Sequence, residues 1–203
     1  MQRLKLNLIL GFFRLKPAIR RLDNGKGRDT IEAWKRHYVE ISERTAQERG
    51  IMAFHRMFLI AGLALYQALD GRIRDEKERI DKVHEILWRE RLAGNIRLIA
   101  FFIRRCQDPF QRYLQVLGPR NEWFFPCPPW EKEPVEIENG MGWHQKKCPH
   151  VDFFRREGVV ALTRAYCDMD ERIAELFPEH VELKREKTLC RGDGHCDFLY
   201  RRR

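Results

Sequence analysis

A chain of 203 residues with 43% apolar, 11% aromatic and 34% charged residues is globular in composition, which excludes disorder, collagen-like repeats and mucin-like stalks. Its length allows one domain or two small ones, with a core that needs no staples. Thirty-nine Lys and Arg against 30 Asp and Glu leave +9, which favours anionic partners: nucleic acid, an anionic membrane surface or small carboxylates.

The first 22 residues carry six basic side chains and no acidic one. As a helix they place Leu6, Leu10 and Phe13 on one side. This is expected to dock on the core, or at most to touch a membrane surface weakly. The apolar stretch is short and charged and no small-residue cleavage site follows it, so it does not read as a signal peptide. The longest apolar runs, Phe58–Leu65 and Ile96–Ile103, fall short of the roughly 20 residues a transmembrane helix needs.

Residues 1–118 form a region of successive helices, interrupted only by Pro17 and Pro109. Asp29 and Glu32 resemble a capping box, and Ile31, Trp34, Tyr38 and Ile41 then recur at helical spacing. Gly50 is expected to stop that helix. Met52–Leu69 is apolar on nearly every side and belongs at the centre of a bundle. Ile73–Leu92 turns Ile80, Val83 and Leu87 inward. Asn95–Cys106 and Phe110–Leu117 complete the series. His37 and His84 read as surface residues, and His55 as a core histidine.

Residues 119–134 form a connector holding five of the nine prolines, too dense for a regular element. Its Trp123, Phe124, Phe125 and Trp130 suit an ordered cover on the core, or one wall of a ligand pocket.

The region 135–203 changes period. Val135–Glu138 alternates into Asn139-Gly140, a strong hairpin signal. A two-residue turn pairs Val135 with His144 and puts Cys148 on the face of His144 if the strand continues. Val151–Phe177 reads as helical with a kink at Gly158. Val181–Leu189 and Cys196–Tyr200 flank a second turn at Arg191–Gly194. The predicted fold class is α+β: a helical N-terminal half packed on a four-stranded antiparallel sheet of two hairpins with intervening helices, in one compact domain.

Six cysteines, at 106, 127, 148, 167, 190 and 196, are too few for a disulfide scaffold and imply free thiols in a reducing cytoplasm. No dinucleotide, P-loop, metalloprotease or nucleophile-elbow motif is present. Cys148 opens a helix, whose dipole favours a thiolate. Cys148, Cys167 and Cys196 lie on elements that can converge on one sheet face. Three fates compete for them: buried packing, the commonest for free cysteine; a nucleophilic or acid–base thiol site; and a thiolate/imidazole metal site, which lacks the usual C-x-x-C pair. Of Asp168 and Asp170, two apart on a helix, one is expected to face the cysteines. Cys106 and Cys127 read as structural.

The order Cys148-Pro149, then Cys167 with Asp170, then Gly192-Asp193 through Cys196-Asp197-Phe198 resembles the L-2-amino-thiazoline-4-carboxylic acid hydrolase family over about residues 144–200. The last hairpin also resembles the 4-vinyl reductase domain. The chain departs from the pattern in His150, in an added Cys190 and in the insert at 119–134. The resemblance implies a hydrolase acting on the C–N bonds of a cyclic amidine. Water adds at the carbon between ring nitrogen and sulfur, and the name-giving product is N-carbamoyl-cysteine. The expected catalytic residues are Cys148, Cys167, Asp170, Cys196 and His144, with a thiolate at Cys148 or Cys167. Trp143, His150, Asp168 and Phe198 are expected to contact a small carboxylate-bearing substrate. No metal ligand is assigned, although the Cys/His cluster admits a divalent metal, and a homo-oligomer is compatible with the sequence. The competing function is a non-catalytic sensor or carrier that binds a small molecule or a metal. Nucleic-acid binding through the basic termini, including Arg201–Arg203, lacks a recognised module and is not expected.

Overall fold

A computed structural model describes residues 15–22, 27–45, 49–88, 93–118 and 120–203. The reading of Leu6, Leu10 and Phe13 falls outside them. The described fold is α+β, with helices α1 (Leu15–Leu22), α2 (Gly27–Arg44), α3 (Gly50–Asp70), α4 (Glu76–Leu87), α5 (Ala93–Ile103) and α6 (Pro109–Val116) ahead of the sheet. Strands β1 (Glu131–Val135) and β2 (Gly140–Lys147) follow, then α7 (Pro149–Arg156), a 3-10 turn (Val160–Thr163) and α8 (Arg164–Ala174). Strand β3 (Val181–Lys184), a second 3-10 turn (Leu189–Arg191) and β4 (Cys196–Arg202) end the chain. The chain divides into two units, Met1–Asn95 and Ile96–Arg203.

In the first unit, α2 packs on α3 and α3 on α4. Ile31, Trp34, Tyr38 and Ile41 are buried, as their spacing requires. The buried Trp34 indole donates to the Ala61 carbonyl at 2.9 Å, which satisfies the polar handle of an otherwise apolar side chain. Asp29 lies in the first turn of α2 rather than capping it. Gly50 does not stop a helix. It opens α3 with a φ of 58°, a left-handed conformation that glycine takes without strain. Asp75 caps α4 by accepting the Glu78 amide at 2.7 Å. Arg79, buried against Tyr66 and paired with Asp70, lies beneath the α3–α4 connection. His55 is buried within α3. By length and composition α3 is long and apolar enough to cross a membrane, and 61% of its most apolar stretch is buried in the protein, as in a core helix.

In the second unit the sheet order is β1-β2-β4-β3, antiparallel throughout. Its core joins Ala100, Ile103, Phe110, Tyr113 and Leu114 of α5 and α6 to Trp143, Phe177, Val181 and Tyr200. Pro134 falls within β1 rather than in an irregular connector. An edge strand tolerates a proline that donates nothing to a neighbour. The first turn is longer than two residues, because β1 ends at Val135 and Asn139 takes a φ of 54°. Val135 therefore pairs with Gly142, and His144 with Glu133. Gly140 approaches β4 so closely that a Cβ there would collide with the Tyr200 carbonyl oxygen. The expected kink at Gly158 is a full break between α7 and α8, with φ at 74°. The second hairpin also differs from expectation, since β3 stops at Lys184.

Candidate active site

The register of β2 on β4 places Trp143 opposite Phe198, Gln145 opposite Cys196 and Met141 opposite Tyr200. With a side-chain period of two, these six share the core face, and His144 and Lys146 point to the other. Trp143 stacks on Phe198 and Tyr200 at 5.6 and 5.3 Å between ring centroids. Over Phe198, at 5.3 Å, lies the guanidinium of Arg185, whose side chain is only 2% exposed. A buried cation demands partners, and Arg185 has them on α8. It donates to Asp170 Oδ2 at 3.1 Å, to Glu171 Oε1 at 3.0 Å and to the Cys167 carbonyl at 2.8 Å.

Four cysteines surround this pair. Cys148, at the start of α7, senses the charges of Cys196 and Asp170. Cys167 on α8 hydrogen-bonds through its thiol to Cys190, and senses Arg185 and Cys148. Cys196 is buried at 3% exposure, and its sulfur accepts the Leu189 amide at 3.2 Å. Cys148, Cys167 and Cys190 are half-buried. The structure thus brings together Cys148, Cys167, Asp170 and Cys196, and adds Arg185, Glu171 and Cys190. Of the added three, Arg185 carried a signal in the sequence. Val181 and Leu183 alternate inward, and Arg185 is the next inward position, where a lone charge implies a partner.

The other expected residues are placed differently. His144 lies on the opposite sheet face from Cys196, its ring 3.9 Å from that of His195 and its ladder partners Glu133 and Asp197. Cys148 does not join it there. The strand ends at Lys147 and Cys148 turns into the start of α7. His150 packs edge-on against Trp130 and Tyr166, at 5.8 and 6.0 Å, so the aromatic insert adjoins α7 through Trp130. Trp123 of the same insert is 75% exposed. Asp168 lies 3.7 Å from Arg164. Among the described residues, no group of three or more His, Cys, Asp and Glu side chains is arranged to hold a metal ion.

Burial sets the electrostatics. It pushes the Cys148 thiol up to about 12, outweighing the amides of Val151 and His150 that pull the other way. At Cys148 burial thus opposes the thiolate that a helix start favours. Cys167 is held above the usual thiol range because it donates its proton to Cys190, and burial adds to this. Cys190 moves down, through that same hydrogen bond, then Thr188, Arg185 and Arg191. Burial lifts Asp170 to about 6 against the pull of Arg185, while Glu171 and Asp168 push with burial. Its side chain keeps 34% exposure, so Asp170 is surrounded by protein yet reachable by solvent.

Fold and site together define an α+β protein with a thiol, carboxylate and guanidinium cluster on one side of an antiparallel sheet. Such a cluster is suited to acid–base and nucleophilic work on a small molecule. The L-2-amino-thiazoline-4-carboxylic acid hydrolase family matches residues 50–200 of the 203, and the chain belongs to it. The match begins in α3 and takes in helices as well as sheet, so it is not confined to the last third of the chain. Among curated proteins no significant match is found.

Proposed function

We propose that the protein is a hydrolase that opens a small, carboxylate-bearing cyclic amidine of the thiazoline type, with a cysteine assisting. Membership of a family named for that hydrolysis supports the class of substrate. The observation that carries the chemistry is Asp170. A carboxyl lifted to about 6 beside reachable thiols can exchange protons near neutral pH. A thiolate of the cluster adds to the amidine carbon, the carbon–sulfur bond of the ring breaks while both carbon–nitrogen bonds are kept, and the ring sulfur leaves as a thiolate that takes a proton from solvent. Water then adds at the same carbon, Asp170 accepts one of its protons and returns it to solvent, the other passes to the former ring nitrogen as the carbonyl forms, and the carbon–cysteine bond breaks. The product is the N-carbamoyl thiol. Arg185 keeps Asp170 in place and favours its ionised form. The chemistry needs reduced thiols, so the proposal carries a cytoplasmic location.

The test is incubation of the purified full-length protein with 2-amino-thiazoline-4-carboxylate. Thiol release is followed with a chromogenic disulfide, and the product by mass spectrometry. Turnover is expected, with Asp170→Asn slower by about a hundredfold or more. Tight binding of the ring without thiol release would support a sensor or carrier instead. Undiminished turnover in Asp170→Asn would remove Asp170 from the chemistry.

A further inference from the structure

Between β3 and β4 four successive backbone amides are taken up by side chains of the last hairpin. Asp197 Oδ1 accepts the amides of Glu186 and Lys187 at 2.9 and 2.6 Å, Asp193 Oδ2 accepts Thr188 at 2.7 Å, and Cys196 Sγ accepts Leu189 at 3.2 Å. Amides held this way cannot extend the ladder, which is why β3 ends at Lys184. The clamped segment is bounded by two residues of the site. Arg185 precedes it, and Cys190 follows it in the 3-10 turn Leu189–Arg191. Asp193, Cys196 and Asp197, the most visible motif of the sequence, thus shape the segment between a buried guanidinium and a thiol.

Cys190 meets hydrogen-bonding side chains on two sides. Its sulfur donates to Thr188 Oγ1 at 3.4 Å when protonated. The thiol of Cys167 hydrogen-bonds to it, and the charges of Arg185 and Arg191 favour its anion. Burial opposes the anion at Cys190 as well, but there the Cys167 hydrogen bond outweighs it, whereas at Cys148 and Cys196 burial is the largest influence. Cys190 is half-buried, so a small molecule can reach it. Arg185 Nε, buried and without a hydrogen-bond partner, leaves one further N–H uncommitted in the cluster.

We infer that Cys190 is the nucleophile of this cluster, and that Asp193, Cys196 and Asp197 are positioning residues that hold its turn against Cys167. On the ring-opening reading, on which this step rests, the Cys190 sulfur bonds to the amidine carbon. The bond from that carbon to the ring sulfur breaks, and the ring sulfur leaves as a thiolate that takes a proton from solvent. Water then adds to the S-linked carbon; Asp170 accepts one of its protons and returns it to solvent, and the other passes to the former ring nitrogen as the carbonyl forms. The carbon–Cys190 bond breaks, which returns the Cys190 thiolate and frees the N-carbamoyl thiol. No oxidant or reductant enters.

The reactivity of Cys190 is testable without any substrate. Full-length protein is treated with iodoacetamide over about pH 5 to 9, and the rate at each cysteine is read by peptide mass spectrometry. Cys190 is expected to be alkylated at neutral pH about tenfold faster than Cys148 or Cys167, with a midpoint below the ordinary thiol range. Asp197→Ala is expected to slow Cys190 and move its midpoint up. Asp197→Asn, whose amide oxygen can accept the same two N–H groups, is expected to restore most of the rate. If Asp197→Ala does not fold, Asp193→Ala and the wild-type labelling order decide the matter. Faster labelling of Cys148 or Cys167 overturns the assignment, as does an unmoved Cys190 profile in a folded Asp197→Ala. Full turnover in Cys190→Ser overturns the nucleophile and leaves the hydrolase reading standing. Preferential labelling of Cys190 in a protein that opens no cyclic amidine does the reverse.

Discussion

Asp170 and Arg185 tie the chemistry of the site to pH. With its carboxyl lifted to about 6, Asp170 is protonated in mildly acidic solution and ionised at neutrality. Acting as a base toward water, it predicts that the logarithm of turnover climbs to about pH 6 and then levels. That limb is expected to vanish in Asp170→Asn, read from a pH–rate series. The same shift has a stability consequence. The folded state holds the Asp170 proton more tightly than the unfolded state, so the contribution is full below the ordinary carboxylate value and is lost as pH rises through about 6. The Tm of the wild type relative to Asp170→Asn is expected to fall between about pH 4 and 7. Much of this cluster was readable beforehand. Cysteines 148, 167 and 196 and Asp170 stood at helix starts, in a helix and on a strand that a compact sheet brings together. Cys190 was not readable, because its chemistry comes from Cys167, 23 positions away in the chain. His144 was misplaced, because alternation fixes that two residues share a face but not which face meets the core.

Strands and turns show where local pattern suffices and where it does not. The Asn139-Gly140 signal correctly marked a turn with β2 after it, and β4 lies where Cys196–Tyr200 was expected to follow the second turn. The register moved by two residues, because Glu136–Glu138 lie in the turn and not in β1. A shift of two keeps Val135 and His144 on one face, as expected, but that face lies opposite the one where Trp143, Cys196 and Tyr200 meet the core. Gly140 is the tightest point of that arrangement. Gly140→Ala forces a methyl group against the Tyr200 carbonyl between β2 and β4. It is expected to cost about 1–3 kcal/mol, measured by urea denaturation. The early end of β3 had no local cue, since the side chains that capture its next amides come from residues 193–197.

Across the whole molecule, the boundary after Asn95 falls inside a stretch that reads as helix from end to end. Helical periodicity reports which face of a helix is buried and says nothing of what covers it. Hence α5 and α6 read like the helices before them, although their core face meets the sheet, where the Tyr113 ring lies 5.7 Å from that of Tyr200 on β4 and 5.0 Å from that of Phe177 in the turn before β3. Phe177 is fully buried there, and Phe177→Ala is expected to cost about 3–5 kcal/mol. Hydrogen exchange should speed up most at amides of 96–203 that exchange only on unfolding of that unit. The family match crosses this boundary, from α3 to the last strand. One consequence concerns how such a protein can change its chemistry. Asp193, Cys196 and Asp197 fix a loop through main-chain amides, and main-chain amides are the same whatever side chains the loop displays. The residue at position 190 can therefore be exchanged without disturbing the support beneath it. A motif search tuned to the last hairpin would then collect proteins that share a mounting for the reactive group, while the group mounted on it, and the reaction with it, are free to diverge.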